Sequence, residues 1–419
     1  MAKIKPIRAL RFTGKAGNIA KCVCPPYDII SPEERASLIA SNENNLVRLE
    51  LPLGEDRYDS AGRLLKKWMD EGIIARDESE GIFVYREEFS VKGRSYALTG
   101  LICLVELREF ADKVILPHEE TLTKAKTDRF NLMCATNCNF SSVYLLYNDD
   151  GSVADEWSPI TNTEPLARFT DSEQVTNILW KIEDGDTVSR IMRLFEQKQL
   201  FIADGHHRYE TALNFKKHLI ANGMPENSNS DYIMATLVSM DDGGLVVFPT
   251  HRMIVDMPVC PDTVAEKCSE YFDCARYPMS DLDRMLASGE NGHVFAMYTG
   301  GDDFLLLKAK KELDSVIIDG RSRAYSELDV SILHSFVLEK ALGIDKENMA
   351  NQVNLRYTRS EDEACESVRE GRASAAFIIN ATKVSQIKEV SLAGDKMPQK
   401  STYFYPKLKT GLVMNILEK

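Results

Sequence analysis

Two apolar-rich segments, 82–89 and 95–107, have the residue pattern of strands and flank a turn signal at Lys92-Gly93. That pairing restricts the fold more than any other feature, because strands joined by a short turn run antiparallel. A second hairpin is expected from segments 232–240 and 245–248, around Asp241-Asp242-Gly243-Gly244. Further strands are expected at 142–147, 176–182, 294–298 and 304–307. Helices are expected at 61–71, 186–197, 262–271, 281–287 and 329–342. Hairpins outnumber clear strand-helix-strand crossovers, which predicts an α+β (mixed α/β) fold with a mostly antiparallel sheet rather than a doubly wound parallel one.

A length of 419 residues suits two domains, and the order of elements puts the break near 255, giving regions 1–255 and 256–419. With 44% hydrophobic and 27% charged residues, disordered, collagen-like and disulfide-scaffold proteins are excluded. The 51 Lys and Arg against 64 Asp and Glu leave a formal charge of −13, a field that repels nucleic-acid phosphate. No apolar run approaches the roughly 20 residues of a membrane span, and the start MAKIKPIRALRF lacks a signal-peptide core. A cytoplasmic protein without membrane or nucleic-acid partners is expected; the sequence leaves the oligomeric state open. The nine cysteines have no metal or redox spacing and read as reduced, mostly buried thiols.

The most informative junction is a short buried strand at 200–203, the polar turn Asp204-Gly205-His206-His207-Arg208, and a helix at 209–221 closed by Gly223. A helix amino terminus offers unpaired N–H groups and a positive dipole end, Gly205 permits close backbone approach, and Arg208 supplies a fork for phosphate oxygens. Asp204 then either holds Mg²⁺, orients a histidine or simply caps the helix. A zinc site on both histidines is not expected, since adjacent side chains diverge and no third ligand has recognisable spacing.

Three further segments carry reactive residues. His118-Glu119-Glu120-Thr121, followed by Lys124, Lys126, Asp128 and Arg129, lacks the second histidine of a metalloprotease helix. It combines carboxylates with cations able to activate a hydroxyl or hold an anion, or forms a solvated helix face. Pro249-Thr250-His251-Arg252 directly follows a strand. Pro398-Gln399-Lys400-Ser401-Thr402 is no phosphate-binding P-loop, because Gln399 replaces a required glycine and Tyr403-Phe404-Tyr405-Pro406 starts a helix poorly. Lys400, Ser401 and Thr402 can still contact phosphate from a loop, or Tyr403 and Tyr405 can pack on one face of a β segment. Pro25-Pro26-Tyr27-Asp28 is a rigid turn whose Asp28 caps the helix begun near Pro32 or enters a site.

With these motifs assembled, the chain resembles a bacterial family of unknown function, domain-of-unknown-function family ten-fifteen. The resemblance rests on Pro25-Pro26-Tyr27-Asp28, His118-Glu119-x-Thr121, Asp204 to Arg208, Pro249-Thr250-His251-Arg252 and Met397 to Thr402, and covers nearly the whole chain. The Asp-Gly-His-x-Arg turn is also similar to that of the ParB/sulfiredoxin-like superfamily, especially the free L-serine kinases, whose threonine is His207 here. The resemblance implies a ParB/sulfiredoxin-like core elaborated by a second α/β region. It also implies a kinase of a small hydroxyl metabolite, free L-serine first, using Mg²⁺ and ATP or ADP.

By the same resemblance Asp204, His206 and Arg208 take the phosphate and Mg²⁺ side, Asp204 as the metal ligand. Gly205, His207, His251, Arg252, Lys400, Ser401 and Thr402 serve the nucleotide; His118, Thr121, Tyr27 and Asp28 serve the substrate. Glu119 is the carboxylate best suited to accept the hydroxyl proton, with Glu33 and Glu34 as rivals. Two other classes stand beside this one: a nucleotide-binding regulator of the ParB type, and a metal-dependent hydrolase built on His118, His206, His207 and His251.

Overall fold

In the computed structural model, residues 1–121, 123–223 and 229–417 are described. Contacts divide the chain into two compact units. The first comprises Met1–Pro117, Thr121–Leu245 and Pro406–Lys419; the second comprises His118–Glu120 and Val246–Tyr405. The sequence put one break near 255, whereas the chain divides at Leu245 and its last residues rejoin the first unit.

The first unit is built on a nine-stranded sheet. Its strands are β1 (Ile4–Lys5), β2 (Ile82–Val91), β3 (Arg94–Glu106), β4 (Ile115–Leu116), β5 (Val143–Tyr147), β6 (Ala167–Thr170), β7 (Thr176–Ile182), β8 (Leu200–Asp204) and β9 (Tyr232–Ser239). They run in the order β4-β8-β5-β9-β3-β2-β7-β6, with β1 on β3. Within this sheet the β4/β8 and β5/β9 pairs are parallel and the others antiparallel. The hairpin expected at Lys92-Gly93 is present: Val91 pairs with Arg94, and both turn residues have positive φ, 48° and 77°. Those angles belong to the two-residue turn that matches strand twist.

Helices α1 (Pro32–Ser41), α2 (Val47–Glu50), α3 (Arg57–Asp70), α4 (Thr123–Thr136), α5 (Gly185–Phe195) and α6 (His206–Ala221) belong to this unit. Asp184 caps α5, whose Val188, Ile191 and Phe195 are buried at helical spacing. Tyr209, Ala212, Leu213 and Phe215 of α6 enter the same core, against Val143, Leu145 and Ile202 of the sheet. Each such large apolar side chain contributes about 1.5–3 kcal/mol on burial. Phe130 of α4 meets Phe215 edge to face, ring centres 6.3 Å apart, so α4 is fixed on α6.

Another core cluster joins Phe83, Tyr85, Leu104 and Leu179 to Leu412 and Val413 of the returning tail. Glu87, 1% exposed, lies at that end. The Tyr85 hydroxyl is 2.5 Å from Asn177 Oδ1 and 2.9 Å from Glu87 Oε1. Asn177 Nδ2 donates to the Val175 carbonyl at 3.0 Å, which turns Oδ1 toward Tyr85. One phenolic proton cannot serve two acceptors, so the arrangement suits a protonated Glu87. Burial pushes that carboxyl up to about 7, against the Tyr85 hydrogen bond and the Lys409 charge.

The second unit has a six-stranded, wholly antiparallel sheet of β10 (His251–Ile254), β11 (Phe272–Pro278), β12 (Val294–Tyr298), β13 (Asp303–Ala309), β14 (Leu355–Thr358) and β15 (Ala375–Ile378). The order is β11-β13-β12-β15-β10-β14. Helix α7 (Glu361–Arg369), capped by Ser360, packs Ala364, Cys365 and Val368 into its core. The architecture is mixed α/β with mostly antiparallel sheets, as the hairpin count predicts.

Local expectations fail in three places. Segments 232–240 and 245–248 form no hairpin: β9 pairs with β3 and β5, and Val246–Val247 pairs with Phe404–Tyr405. The chain does turn at Gly243-Gly244, where Leu245 N donates to the Asp242 carbonyl, but it leaves along β3, and a Cβ on Gly244 would overlap the Ala97 carbonyl. The helix expected at 329–342 is α-helical over Asp329–Ile332 and continues as a π-helix over Leu333–Glu339. Asp28 does not cap α1; Ser31 does, accepting from Glu34 N. All nine cysteines are free and six are buried. Among the described residues no helix is long and apolar enough to cross a membrane.

Candidate functional site

Strand β8 is buried from Leu200 to Ala203, between β4 and β5. Its register on β5 shifts between Ile202 and Asp204, and the chain turns into α6 at once. Gly205 takes φ 93° and ψ 26°, and no side chain caps the helix it opens. A Cβ there would lie 2.9–3.0 Å from the Arg208 guanidinium, so glycine serves both the left-handed conformation and the fold-back of Arg208. The sixteen-residue helix thus presents its amino terminus and dipole beside a guanidinium.

Asp204 is enclosed by cations. One carboxylate oxygen meets Arg208 Nη2 and the other Lys407 Nζ, while Arg208 Nη1 donates to the Ser142 carbonyl. Burial alone would raise the Asp204 pKa, but Lys407, Arg208 and then His206 outweigh it and hold the carboxyl well below its usual range. Such a group neither accepts nor gives a proton near neutrality. Nor does it fit the expected Mg²⁺ role, since both oxygens are paired and two cations repel a third. Among the described residues, no group of three or more His, Cys, Asp or Glu is placed to hold a metal. Asp204 therefore positions Arg208 and Lys407.

Beside the turn lies a second ionic group in the same unit. Glu50, at the end of α2, is 3% exposed and Arg129 of α4 is 7% exposed. Arg129 Nη1 donates to the Glu50 carbonyl at 2.8 Å and lies 3.6 Å from its Oε1. Nε and Nη2 of Arg129 bind Asp128 at 3.0 and 2.6 Å. The guanidinium stacks over Tyr27, 4.2 Å from the ring centre. Burial raises the Glu50 pKa against the pull of Arg129 and Arg208, and burial, followed by Asp28, pushes Tyr27 up to about 12. Thr121 donates to Glu210 of α6 at 2.8 Å, so it ties its segment to the helix.

The other expected residues lie in the second unit. His118, fully buried, has Nε2 at 3.1 Å from Thr402 Oγ1, and that hydroxyl lies 3.4 Å from Glu119 Oε1. His251 Nδ1 accepts from Ile379 N at 3.3 Å. Arg252 is fully buried; it donates to the carbonyls of Thr250 and Lys400 and to His334 Nε2. Desolvation lowers its pKa to about 10. Lys400 is exposed at φ 58°. The Ser401 carbonyl accepts from Thr382 at 2.8 Å. Tyr403 and Tyr405 stack on Phe248, ring centres 6.4 and 4.6 Å away, the β-type packing the sequence allowed.

The expected residues thus form two groups. Tyr27, Thr121 and Asp204 to Arg208 belong to the first unit; His118, Glu119, His251, Arg252 and Lys400 to Thr402 belong to the second. Asp28, Glu33 and Glu34 are exposed. Glu50 and Lys407 were not among the expected site residues, because each acquires its partners through contacts far along the chain; Arg129, a cation of the His118 segment in the sequence, meets Glu50 and Tyr27 here as well as its neighbour Asp128. An acid ending the apolar run Leu46-Val47-Arg48-Leu49 was the available signal for Glu50.

The family model described as "Protein of unknown function (DUF1015)" matches residues 4–331. No curated protein matches the sequence. Among solved structures, a free serine kinase variant in complex with ADP is similar at TM-score 0.38 and 12% identity, over 74% of this chain and 92% of that one. A conserved hypothetical protein from Pyrococcus furiosus aligns at TM-score 0.36 and 14% identity, over 74% and 95%. SbnI from Staphylococcus aureus, truncated at its C-terminus, aligns at 0.37 and 10%, over 75% and 87%.

Proposed function

The chain belongs to the DUF1015 family of proteins of unknown function, and we propose that it is a phosphotransferase acting on a small hydroxyl metabolite, free L-serine first, with ATP or ADP as donor. The observation that carries the reading is the left-handed Gly205 at the uncapped start of α6, with Arg208 folded over it. That arrangement offers backbone donors, the positive end of a helix dipole and a guanidinium to one anion. Asp204, Arg208 and Lys407 sum to one positive charge, which favours phosphate further. The reading includes a ParB/sulfiredoxin-like core for the first unit.

In this reaction the substrate hydroxyl oxygen bonds to the terminal phosphorus, the bond to the leaving nucleotide oxygen breaks, and the hydroxyl proton passes to a carboxylate. Phosphoryl transfer asks mainly for positioning and charge neutralisation. Arg208 and the first amides of α6 hold the phosphate, and Lys407 and Asp204 fix Arg208. No step is assigned to a metal at Asp204.

Incubation of the purified chain with L-serine and either ATP or ADP, with Mg²⁺ supplied, tests the reading by mass spectrometry for O-phosphoserine. Product that is lost in Arg208→Ala supports it. Bound nucleotide without product from L-serine or a panel of hydroxyl compounds would favour a nucleotide-binding regulator instead, and no nucleotide binding would overturn the phosphate reading.

A further inference from the structure

A cavity of about 50 Å³ opens in the first unit beside the turn, and Arg208 is part of its wall. Glu50, Arg129, Ser141 and Asn139 also line it, with apolar side chains such as Leu132 and Ile233 completing the wall. We propose that this cavity binds a small zwitterion of amino-acid type. Its α-carboxylate lies against the guanidinium groups of Arg129 and Arg208, and its ammonium against Glu50 and Ser141.

Size comes first. By a measure in which one water needs about 10–15 Å³, the cavity takes roughly four waters, or about 120 Å³ of liquid. A free amino acid of six to eight heavy atoms fills that space, whereas a nucleotide or a peptide overfills it. Charge comes second. The wall carries both signs: Glu50 and Arg129 are buried and Arg208 is half-buried. Ions withdrawn from water are costly unless their remaining donors and acceptors are met.

Arg129 commits Nε, Nη1 and Nη2 to Asp128 and the Glu50 carbonyl. Arg208 commits Nη1 and Nη2 to Ser142 and Asp204. A guanidinium has five N–H groups, so each retains donors that a carboxylate can take. Ser141 Oγ lies 3.3 Å from Glu50 Oε1, placing a hydroxyl next to the carboxylate that would receive the ammonium. A ligand with one charge meets wall groups of one favourable sign only and faces the other sign as repulsion; a zwitterion finds a favourable partner for each of its ends.

Because Arg208 belongs to both the turn and the cavity wall, a zwitterion held here stands next to the phosphate position. As an account of the acceptor, the assignment rests on the phosphotransferase reading. As a binding site it can be measured separately.

The test is calorimetric titration of the full chain with L-serine, glycine, L-alanine and L-threonine, against ethanolamine and glycolate, with ADP titrated in parallel. At least one amino acid is expected to bind at one per chain, at least tenfold tighter than both single-charge probes. Glu50→Gln, which keeps the shape, and Ser141→Ala are expected to weaken it, the former at least tenfold, with ADP affinity unchanged. ADP binding without binding of any of the four amino acids at 10 mM overturns the cavity assignment alone. Amino-acid binding unaffected by both substitutions also overturns it. Amino-acid binding lost in Glu50→Gln, in a chain that does not bind ADP, upholds the cavity and removes the phosphotransferase.

Discussion

Replacing Asp204 by Asn leaves Arg208 and Lys407 facing each other across a site where the side chains are 12% and 10% exposed. Removing one member of a buried ion pair costs about 3–5 kcal/mol, because the remaining charge is left uncompensated. The low end, about 3 kcal/mol, applies here, since Asp204 retains 17% exposure and an asparagine still accepts one hydrogen bond. For a unit of this size each kcal/mol moves Tm by about 2–4 °C, so a fall of roughly 6–12 °C is expected.

The pH dependence follows from the direction of the Asp204 shift. Its folded pKa is depressed, so its contribution is fully present above the unfolded value of about 3.9 and disappears only as pH falls through the folded value. The gap between wild type and Asp204→Asn therefore stays constant from pH 5 to 8 and closes in acid. Inorganic phosphate supplies the missing negative charge and should restore more stability to the variant than to wild type. Thermal unfolding at several pH values, with and without 20 mM phosphate, measures all of this. A variant within 1 °C of wild type, or one that phosphate leaves unchanged, would refute the cation-clamp account of the turn.

Gly205→Ala forces an alanine into the left-handed region and its methyl toward Arg208, so a loss of about 1–2 kcal/mol with weaker ADP binding is expected in denaturation and titration experiments. Glu87 gives the opposite pH sign from Asp204. Its pKa is raised to about 7, so stability present below about 4.5 is lost as pH rises through 7, by up to about 3 kcal/mol. Tyr85, Lys409, Asp171, Glu173 and Tyr144 surround it; Glu87→Gln should flatten the urea midpoint between pH 5 and 8, and an unchanged slope would remove the buried-proton reading.

The sequence was most legible where the information is local. Lys92-Gly93 marks the β2/β3 hairpin through two residues that adopt positive φ, and β7 and β12 occupy the segments their apolar runs predict. The strand, turn and helix from Leu200 to Ala221 are also local, so the candidate phosphate turn could be found before any contact was known. Gly243-Gly244 misled for a tertiary reason: Gly244 sits where a Cβ would overlap the Ala97 backbone, and a glycine kept for such a close approach looks in sequence like a hairpin reversal.

The charges around the turn were illegible for the same reason. Asp204 reads as a metal ligand until Lys407 arrives from the tail, and Glu50 and Arg129 meet across 79 residues. A carboxylate's role depends on which cations share its environment, and sequence spacing does not encode that for partners so far apart.

The proposed phosphotransferase depends on phosphate being held by the amides of the turn from Gly205 to Arg208. Amide ¹⁵N–¹H shifts of Gly205, His206, His207 and Arg208, followed during titration of the full chain with ADP, test it most directly. These four resonances are expected to move together and saturate, with the Gly205→Ala variant showing weaker saturation. ADP binding that shifts other resonances and leaves these four in place would contradict it.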